Sequence, residues 1–324
     1  MIGVVIPYFQ RTPGLLNRAL RSVAAQEGQH PLQVYVVDDS SPVPAEGELA
    51  GLDEAFTRCV TILRQPNGGP GAARNLALDR MAAGIDFVAF LDSDDAWSTD
   101  HLNSAVAAFA AGATFYFADY QREEDPQSRF AQCGFRPDGA PLAGSDVTLF
   151  LCDARMLSRH IMLRSPIGTP TVAVRRDKIG GMRFNTRLRS AGEDSIFWLE
   201  LLRADIKVAC NTATEVAVGR GVSVFNHRSW GNAAALRTIL DEMRAQLHLR
   251  RHFIGDGELV AQSRTQCRAL DQAFCLNLLG CIRRGNWPPS HLVLAYLGQR
   301  PWALLRLPPA AAGAIVRKMR ASAR

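Results

Sequence analysis

Three carboxylates stand within four residues at Asp92-Ser93-Asp94-Asp95, directly after the apolar run Phe87-Val88-Ala89-Phe90-Leu91. Like charges this close repel unless something compensates them. A divalent cation with oxygen ligands, shared with a diphosphate, is the natural compensator; a solvated turn at a strand end is the plainer reading. Three further clusters carry chemistry. Asp38-Asp39 closes the run Val34-Tyr35-Val36-Val37, where a carboxylate can accept hydrogen bonds from a nucleobase or ribose, or simply cap a turn. Gly68-Gly69-Pro70-Gly71-Ala72-Ala73-Arg74-Asn75 sets small residues before a helix start, with an arginine one turn in. That spacing admits a nucleotide to the backbone with Arg74 near its base or phosphates, or it is a glycine-rich turn with a surface arginine. It matches neither G-x-G-x-x-G nor a Walker A loop, so dinucleotide binding and ATP hydrolysis lose support. Gly192-Glu193-Asp194 opens a segment containing Phe197-Trp198. Two acids there either complement a helix dipole or supply a general base.

These clusters need a scaffold, and the first half of the chain supplies one by alternating strand-like and helix-like segments. Val4-Val5-Ile6 reads as a strand, followed by Thr12-Pro13 as a helix N-cap and first residue, then by Leu15, Leu16, Ala19, Leu20 and Val23 on one helical face. Residues 34–37 and 60–63 are the next strands, 72–81 a helix, 86–91 the fourth strand and 100–110 the following helix. Strands separated by helices imply a mostly parallel α/β sheet covered on both faces. Ligands bind such sheets beyond the carboxyl ends of the strands, where Asp38-Asp39 and Asp92 to Asp95 both fall. Residues 121–150 read as a long polar connection, 171–174 as a strand and 195–202 as a helix.

Hydrophobic residues make up 47% of the 324 and charged residues 21%, which describes an ordinary globular chain and excludes a disordered one. Seven scattered cysteines without a C-x-x-C pair argue against a zinc site or disulfide framework and for a reducing compartment. The start, Met1-Ile2-Gly3-Val4-Val5-Ile6-Pro7, has no signal-peptide features, and no apolar run reaches the roughly 20 residues of a membrane span. The expected localisation is cytoplasmic, with peripheral contact at the inner face of a membrane. Charge is uneven: from residue 225 onward 15 Lys and Arg face 5 Asp and Glu, a net of +10, against −4 for the rest. This separates residues 1–224, the catalytic-looking part, from 225–324, a basic and mainly helical C-terminal region.

Taken together, the clusters resemble family-2 glycosyltransferases, which have the GT-A fold. The likeness rests on Val5-Ile6-Pro7-Tyr8-Phe9-Gln10-Arg11, Val36-Val37-Asp38-Asp39-Ser40-Ser41, Gly69 to Asn75, Phe90-Leu91-Asp92-Ser93-Asp94-Asp95 with Trp97, and Gly192-Glu193-Asp194 with Phe197-Trp198. It covers roughly residues 1–205 and does not specify a substrate. The resemblance implies that Pro7, Phe9, Asp39, Arg74, Asp92 and Ser93 line a nucleotide pocket, and that Asp92 and Asp94 form the D-x-D element, with Asp94 touching Mg²⁺ or Mn²⁺. It also implies that Asp194 is the catalytic base, a role some relatives give to the acid aligned with Glu193. Gln10 and Tyr8 depart from the family's usual Asn and small polar residue, so the edge of the base pocket differs. His227 falls where relatives place a further metal ligand or phosphate contact; on residue type alone it is a loop histidine between Asn226 and Arg228.

The implied reaction is a single displacement at the anomeric carbon of a nucleotide-diphosphate sugar, with inversion, onto a glycan or lipid-linked acceptor. Two rivals differ in kind. A sugar-nucleotide-forming nucleotidyltransferase needs an early glycine-rich loop, yet no glycine follows the first strand until Gly14. A nucleic-acid-binding protein would use the basic C-terminal region, but zinc-finger spacing and aromatic ribonucleoprotein motifs are lacking, so no nucleic-acid partner is expected. Residues 291–320 mix Leu, Tyr and Trp with Arg and Lys, a composition suited to a bilayer interface or to a helical cap with solvated arginines. The acceptor pocket is expected from residues 150–195 and the C-terminal region.

Overall fold

The computed structural model describes residues 1–142, 148–219, 231–252 and 255–303. They form two compact units, one of Met1–Arg189 with residues 193–219, the other of Ser190–Gly192 with the described residues from 231 onward.

In the first unit the order is β1 (Ile2–Tyr8), α1 (Leu15–Ala24), β2 (Leu32–Asp38), α2 (Glu54–Thr57), β3 (Val60–Arg64), α3 (Pro70–Arg80), β4 (Phe87–Phe90), β5 (Ala96–Trp97) and α4 (His101–Ala110). Then come β6 (Phe115–Arg122), α5 (Arg129–Cys133), β7 (Leu149–Cys152), α6 (Ala154–Arg164), β8 (Ala173–Arg175), α7 (Arg176–Ile179), α8 (Glu193–Leu202) and β9 (Val208–Val218). One sheet runs β3-β2-β1-β4-β8-β6-β9-β5, with β7 added on β9. Strands β3, β2, β1 and β4 are mutually parallel and β6 is parallel to β9, whereas the β4–β8, β8–β6, β5–β9 and β7–β9 pairs are antiparallel. The sheet is therefore mixed, with most of its residue pairing in the parallel ladders. Its parallel half is the part whose βαβ rhythm is visible in sequence, and Val4, Val5, Ile6, Val34, Val36, Val88 and Phe90 are fully buried there, as strands covered on both faces require.

Helix α1 buries Leu16, Ala19, Leu20 and Val23, the expected stripe, but it starts at Leu15, not at Thr12-Pro13. The cap comes from a distance. The buried Glu48 carboxylate accepts from Gly14 N at 2.9 Å and Asn17 N at 3.1 Å, taking up amides that a helix start leaves unpaired. The span 121–150, expected as a connection, contains the end of β6, helix α5 and the start of β7. Strand β6 bulges at Asp119, whose Oδ1 accepts from Tyr120 N at 2.8 Å and Phe130 N at 2.9 Å, which pins α5 to the sheet.

The second unit holds α9 (Ala233–His252), α10 (Gly257–Arg283) and α11 (Ser290–Gln299), with no strand among its described residues. Leu236, Leu240, Met243, Phe274 and Tyr296 build its core, and the Phe274 and Tyr296 rings stack at 3.8 Å. The buried Asp271 is paired by Arg300 at 2.6 Å, so its burial is compensated.

Candidate active site

The site forms where β1, β2 and β4 end. Parallel pairing carries β1 to Tyr8 opposite Asp38 and sets Phe90 of β4 opposite Val5, so the residues after each strand emerge at the same edge. Leu91 N still bonds Val5 O at 3.0 Å, and the chain then turns, with Asp95 N on Asp92 O at 3.1 Å. The acidic run is thus a tight turn held to the sheet at its start.

Its far end is held by β9. Ser98 N donates to Glu215 O at 2.7 Å, Trp97 and Ala96 pair with Val216 and Ala217, and Gly219 N donates to Asp95 Oδ1 at 2.9 Å. Asp95 is buried, and that burial, reinforced by Asp94 and Asp92, pushes its carboxyl well above the usual range. Asp95 therefore serves the turn, while Asp92 and Asp94 stay half-buried and reachable. Gly219 lies so close that a Cβ there would sit 2.0 Å from Asp94 O. Beneath this rail, the buried Glu215 carboxylate accepts from Asn211 Nδ2 at 2.7 Å, meets His101 Nδ1 at 2.8 Å and takes the Tyr116 hydroxyl. Sequence reasoning missed this support; the signal was a lone acid inside the apolar run Ala213-Thr214-Glu215-Val216-Ala217.

Arg74 lies at the centre. Gly69, with φ of 87°, turns the chain into α3, Pro70 occupies its first position, and Arg74 follows one turn in. Its Nη2 donates to Asp92 Oδ1 at 2.6 Å and its Nη1 to Glu193 Oε1 at 3.4 Å, while the guanidinium stands 5.4 Å from the Phe184 ring centre. The side chain is only 4% exposed, so it is an internal clamp rather than a surface arginine. Burial pulls its pKa down, but Asp92 and Glu193 outweigh that and hold it above its ordinary value. Its buried Nε has no hydrogen-bond partner.

Glu193 and Asp194 open α8 as expected, and their surroundings differ. Burial, then the neighbouring Asp194, pushes Glu193 up to about 7 in spite of Arg74. Asp194 is half-buried, with Oδ1 accepting from Ser195 N at 2.6 Å. Gly71 makes room for this corner: a Cβ there would come within 3.4 Å of Glu193 Cγ and 3.3 Å of Phe184 Cβ.

Asp39, read from sequence as a nucleotide contact, has both carboxylate oxygens engaged by the glycine loop. Gly68 N and Gln65 Nε2 reach Oδ1 at 2.7 Å each, and Gly69 N reaches Oδ2 at 2.8 Å. Asp38 caps its own turn through Ser41 N at 2.7 Å. Pro7 and Phe9 are half-buried at the end of β1. Ser93 is buried and accepts from Gln10 Nε2 at 3.0 Å, so the departure at Gln10 ties β1 to the acidic turn. His227 lies outside the described residues. Among those described, no three His, Cys, Asp or Glu side chains gather as a ready-made metal cage.

The chain is similar to known proteins in both sequence and fold. The model of Glycosyl transferase family 2 matches residues 3–179. The chain belongs to that family. This glycosyltransferase is 35% identical over 243 residues to the succinoglycan biosynthesis protein ExoW of Rhizobium meliloti, covering 69% of this chain and 70% of that protein. It is 28% identical over 206 residues to the putative teichuronic acid biosynthesis glycosyltransferase TuaG of Bacillus subtilis, covering 63% and 72%. In fold it is similar to S. aureus TarS 1–349, with TM-score 0.54 and 19% identity over 94% of this chain and 80% of that one. It is also similar to a mannosyltransferase of Pyrobaculum calidifontis solved with GDP-Man and Mn²⁺, with TM-score 0.52 and 15% identity over 94% and 83%. The fold is GT-A.

Proposed function

We propose that this glycosyltransferase moves a sugar from a nucleoside-diphosphate donor to an acceptor hydroxyl during synthesis of a polysaccharide or other glycoconjugate, with inversion and with Mg²⁺ or Mn²⁺ as cofactor. The carrying observation is that one buried guanidinium, Arg74, joins Asp92 of the strand-end turn to Glu193 beside Asp194. Acids about a hundred residues apart in sequence thereby face one small region.

Asp194, the more open of the acid pair, takes the proton of the acceptor hydroxyl as its oxygen attacks the anomeric carbon. The bond to the diphosphate breaks as the new one forms, and with no enzyme nucleophile the configuration inverts. Glu193 holds Arg74 in place through its Oε1, which leaves the less buried Asp194 to face the acceptor. Asp94 and Asp92 are hard oxygen donors of the kind that would hold Mg²⁺ or Mn²⁺. A cation bound there supplies Lewis-acid neutralisation of charge on the leaving diphosphate. Asp39 acts by holding the glycine loop that the nucleotide approaches, with Pro7 and Phe9 at its border and Ser93 supporting the turn from below.

The complexes of TarS with UDP and UDP-GlcNAc, and of the mannosyltransferase with GDP-Man, support a nucleotide-sugar donor. The names of ExoW and TuaG, which speak of succinoglycan and teichuronic acid biosynthesis, support a glycan product; a glycan or lipid-linked acceptor belongs to the same proposal. Peripheral membrane contact is supported by Trp287 at 84%, Leu294 at 69% and Trp302 at 73% exposure beside the exposed Arg283 and Arg284. Residues 304–320 of the expected contact segment lie outside the described residues, and no described helix is long and apolar enough to cross a membrane. Flotation with anionic vesicles that fails at low salt would remove the membrane part.

The test is a transfer assay with purified protein, Mn²⁺, a panel of UDP- and GDP-sugars and oligosaccharide acceptors. Nucleoside diphosphate release is expected with one donor class, and NMR of the product should show the opposite anomer to the donor. Retention of configuration would overturn inversion; absence of turnover or hydrolysis with every donor would overturn the proposal.

A further inference from the structure

Seven cysteines spread along the sequence give no hint of pairing, and all are free thiols. The fold nevertheless brings two of them together. Strand β7 runs antiparallel to β9 with Phe150 opposite Cys210 and Cys152 opposite Val208. Cys152 and Cys210 are therefore diagonal neighbours on the ladder, at the limit of side-chain reach. Their sulfurs close that gap, standing 3.2 Å apart in a shared hydrogen bond although 58 residues separate them. A disulfide requires about 2.05 Å between sulfurs, so side-chain rotation with slight strand adjustment closes the remainder. Access is asymmetric: Cys152 is half-buried at the strand end, whereas Cys210 is buried. The shared hydrogen bond and burial push the Cys210 thiol well above its usual range.

We infer that Cys152 and Cys210 form an oxidation site, in which a peroxide converts the two thiols into a reversible disulfide that clips β7 to β9. The Cys152 sulfur attacks a peroxide oxygen, giving a sulfenic acid and one water when the oxidant is hydrogen peroxide. The Cys210 sulfur then displaces hydroxide from that sulfenic sulfur. Its proton and the hydroxide leave as a second water, so two thiols and one peroxide give one disulfide and two waters. The clip acts on a strand with a second task, because β9 backs the acidic turn through Glu215 to Gly219. Oxidation therefore fixes one end of the strand whose other end positions Asp94 and Asp95. This inference stands on the two strands alone and is independent of the donor and acceptor.

The experiment treats the full-length protein with hydrogen peroxide, blocks remaining thiols with an alkylating reagent and maps the digest by mass spectrometry. The expected product is a linked peptide pair joining Cys152 to Cys210 with loss of two hydrogens, reversed by dithiothreitol, while the other five cysteines are alkylated. Thermal stability should rise on oxidation and return on reduction. In Cys210→Ser, Cys152 should be trapped by a sulfenic-acid probe and no linked pair should form. Cys152 oxidised to sulfinic acid in the wild type while Cys210 remains alkylatable overturns the inference, as does linkage through any other cysteine. Both outcomes are read on the unsubstituted chain, so misfolding of a variant does not obscure them.

Discussion

Arg74 and Asp92 meet at 2.6 Å, Nη2 to Oδ1, with the arginine almost wholly out of water. The same guanidinium reaches Glu193, so one cation organises acids from the end of β4 and the start of α8. A buried cation with two carboxylates is tolerable only as a set, and losing one member leaves uncompensated charge.

Arg74→Ala should therefore destabilise the protein by about 3–5 kcal/mol, the usual cost of breaking a buried ion pair from one side. Denaturant unfolding measures this. Arg74→Lys should recover only part, because a point charge cannot hold both carboxylates in the fork geometry. Full recovery by Lys would mean that charge alone matters.

Asp194→Asn should lower transfer roughly 100- to 10,000-fold with little change in donor affinity, the range expected for loss of a general base. Steady-state kinetics with a separate binding titration resolve the two effects. Near-normal turnover in Asp194→Asn with loss in Glu193→Gln would reassign the base to Glu193.

The raised Glu193 carboxyl has a stability signature. Its pKa goes from an ordinary 4.5 to about 7 in the fold, so between those values the folded state holds a proton that the unfolded chain has released. Folding then binds protons, and stability contributed by this group is fully present below pH 4.5 and is lost as pH rises toward 7. The loss should reach about 3 kcal/mol at most over the window. Unfolding free energies of wild type and Glu193→Gln, compared across pH, should differ in slope in this sense; parallel curves would contradict it.

Gly219→Ala should weaken metal-dependent nucleotide binding at least about 10-fold, because its Cβ would lie 2.0 Å from Asp94 O and the turn must move. Gly84→Ala, where nothing lies within 4 Å, is the matched control. Asp95→Asn keeps an acceptor for Gly219 N and should bind nearly as wild type, whereas Asp95→Ala should not. Calorimetric titration with Mn²⁺ and nucleotide checks the series.

The parts of this protein visible in sequence are those governed by local periodicity. Strands β1 to β4 are apolar runs, α1 shows its stripe, and the acids follow their strands directly, so the parallel half and the candidate residues could be read in order. What escaped depends on contacts between distant residues. The cap on α1 is Glu48, 34 residues beyond Gly14, and the two-residue β5 is too short to leave a pattern. Strand β9 is interrupted by the buried polar residues Asn211 and Glu215, which disguise it as a surface segment until Glu215 is seen to meet His101 and Tyr116 and to accept from Asn211. Arg74 stands out in sequence by its place one turn into α3, but its burial between two carboxylates is a tertiary fact. The glycine loop was read as a nucleotide approach, while its grip by Asp39 follows only from the turn geometry.

The most direct measurement of the central claim is calorimetric titration of nucleoside diphosphates and their sugar conjugates into wild type and Asp94→Asn, with and without Mn²⁺. One nucleotide class should bind the wild type in the presence of the metal, with affinity falling sharply when Mn²⁺ is withheld or Asp94 is replaced. No binding by any nucleotide, or binding indifferent to both the metal and Asp94, would contradict the assignment of the turn after β4 as the donor site.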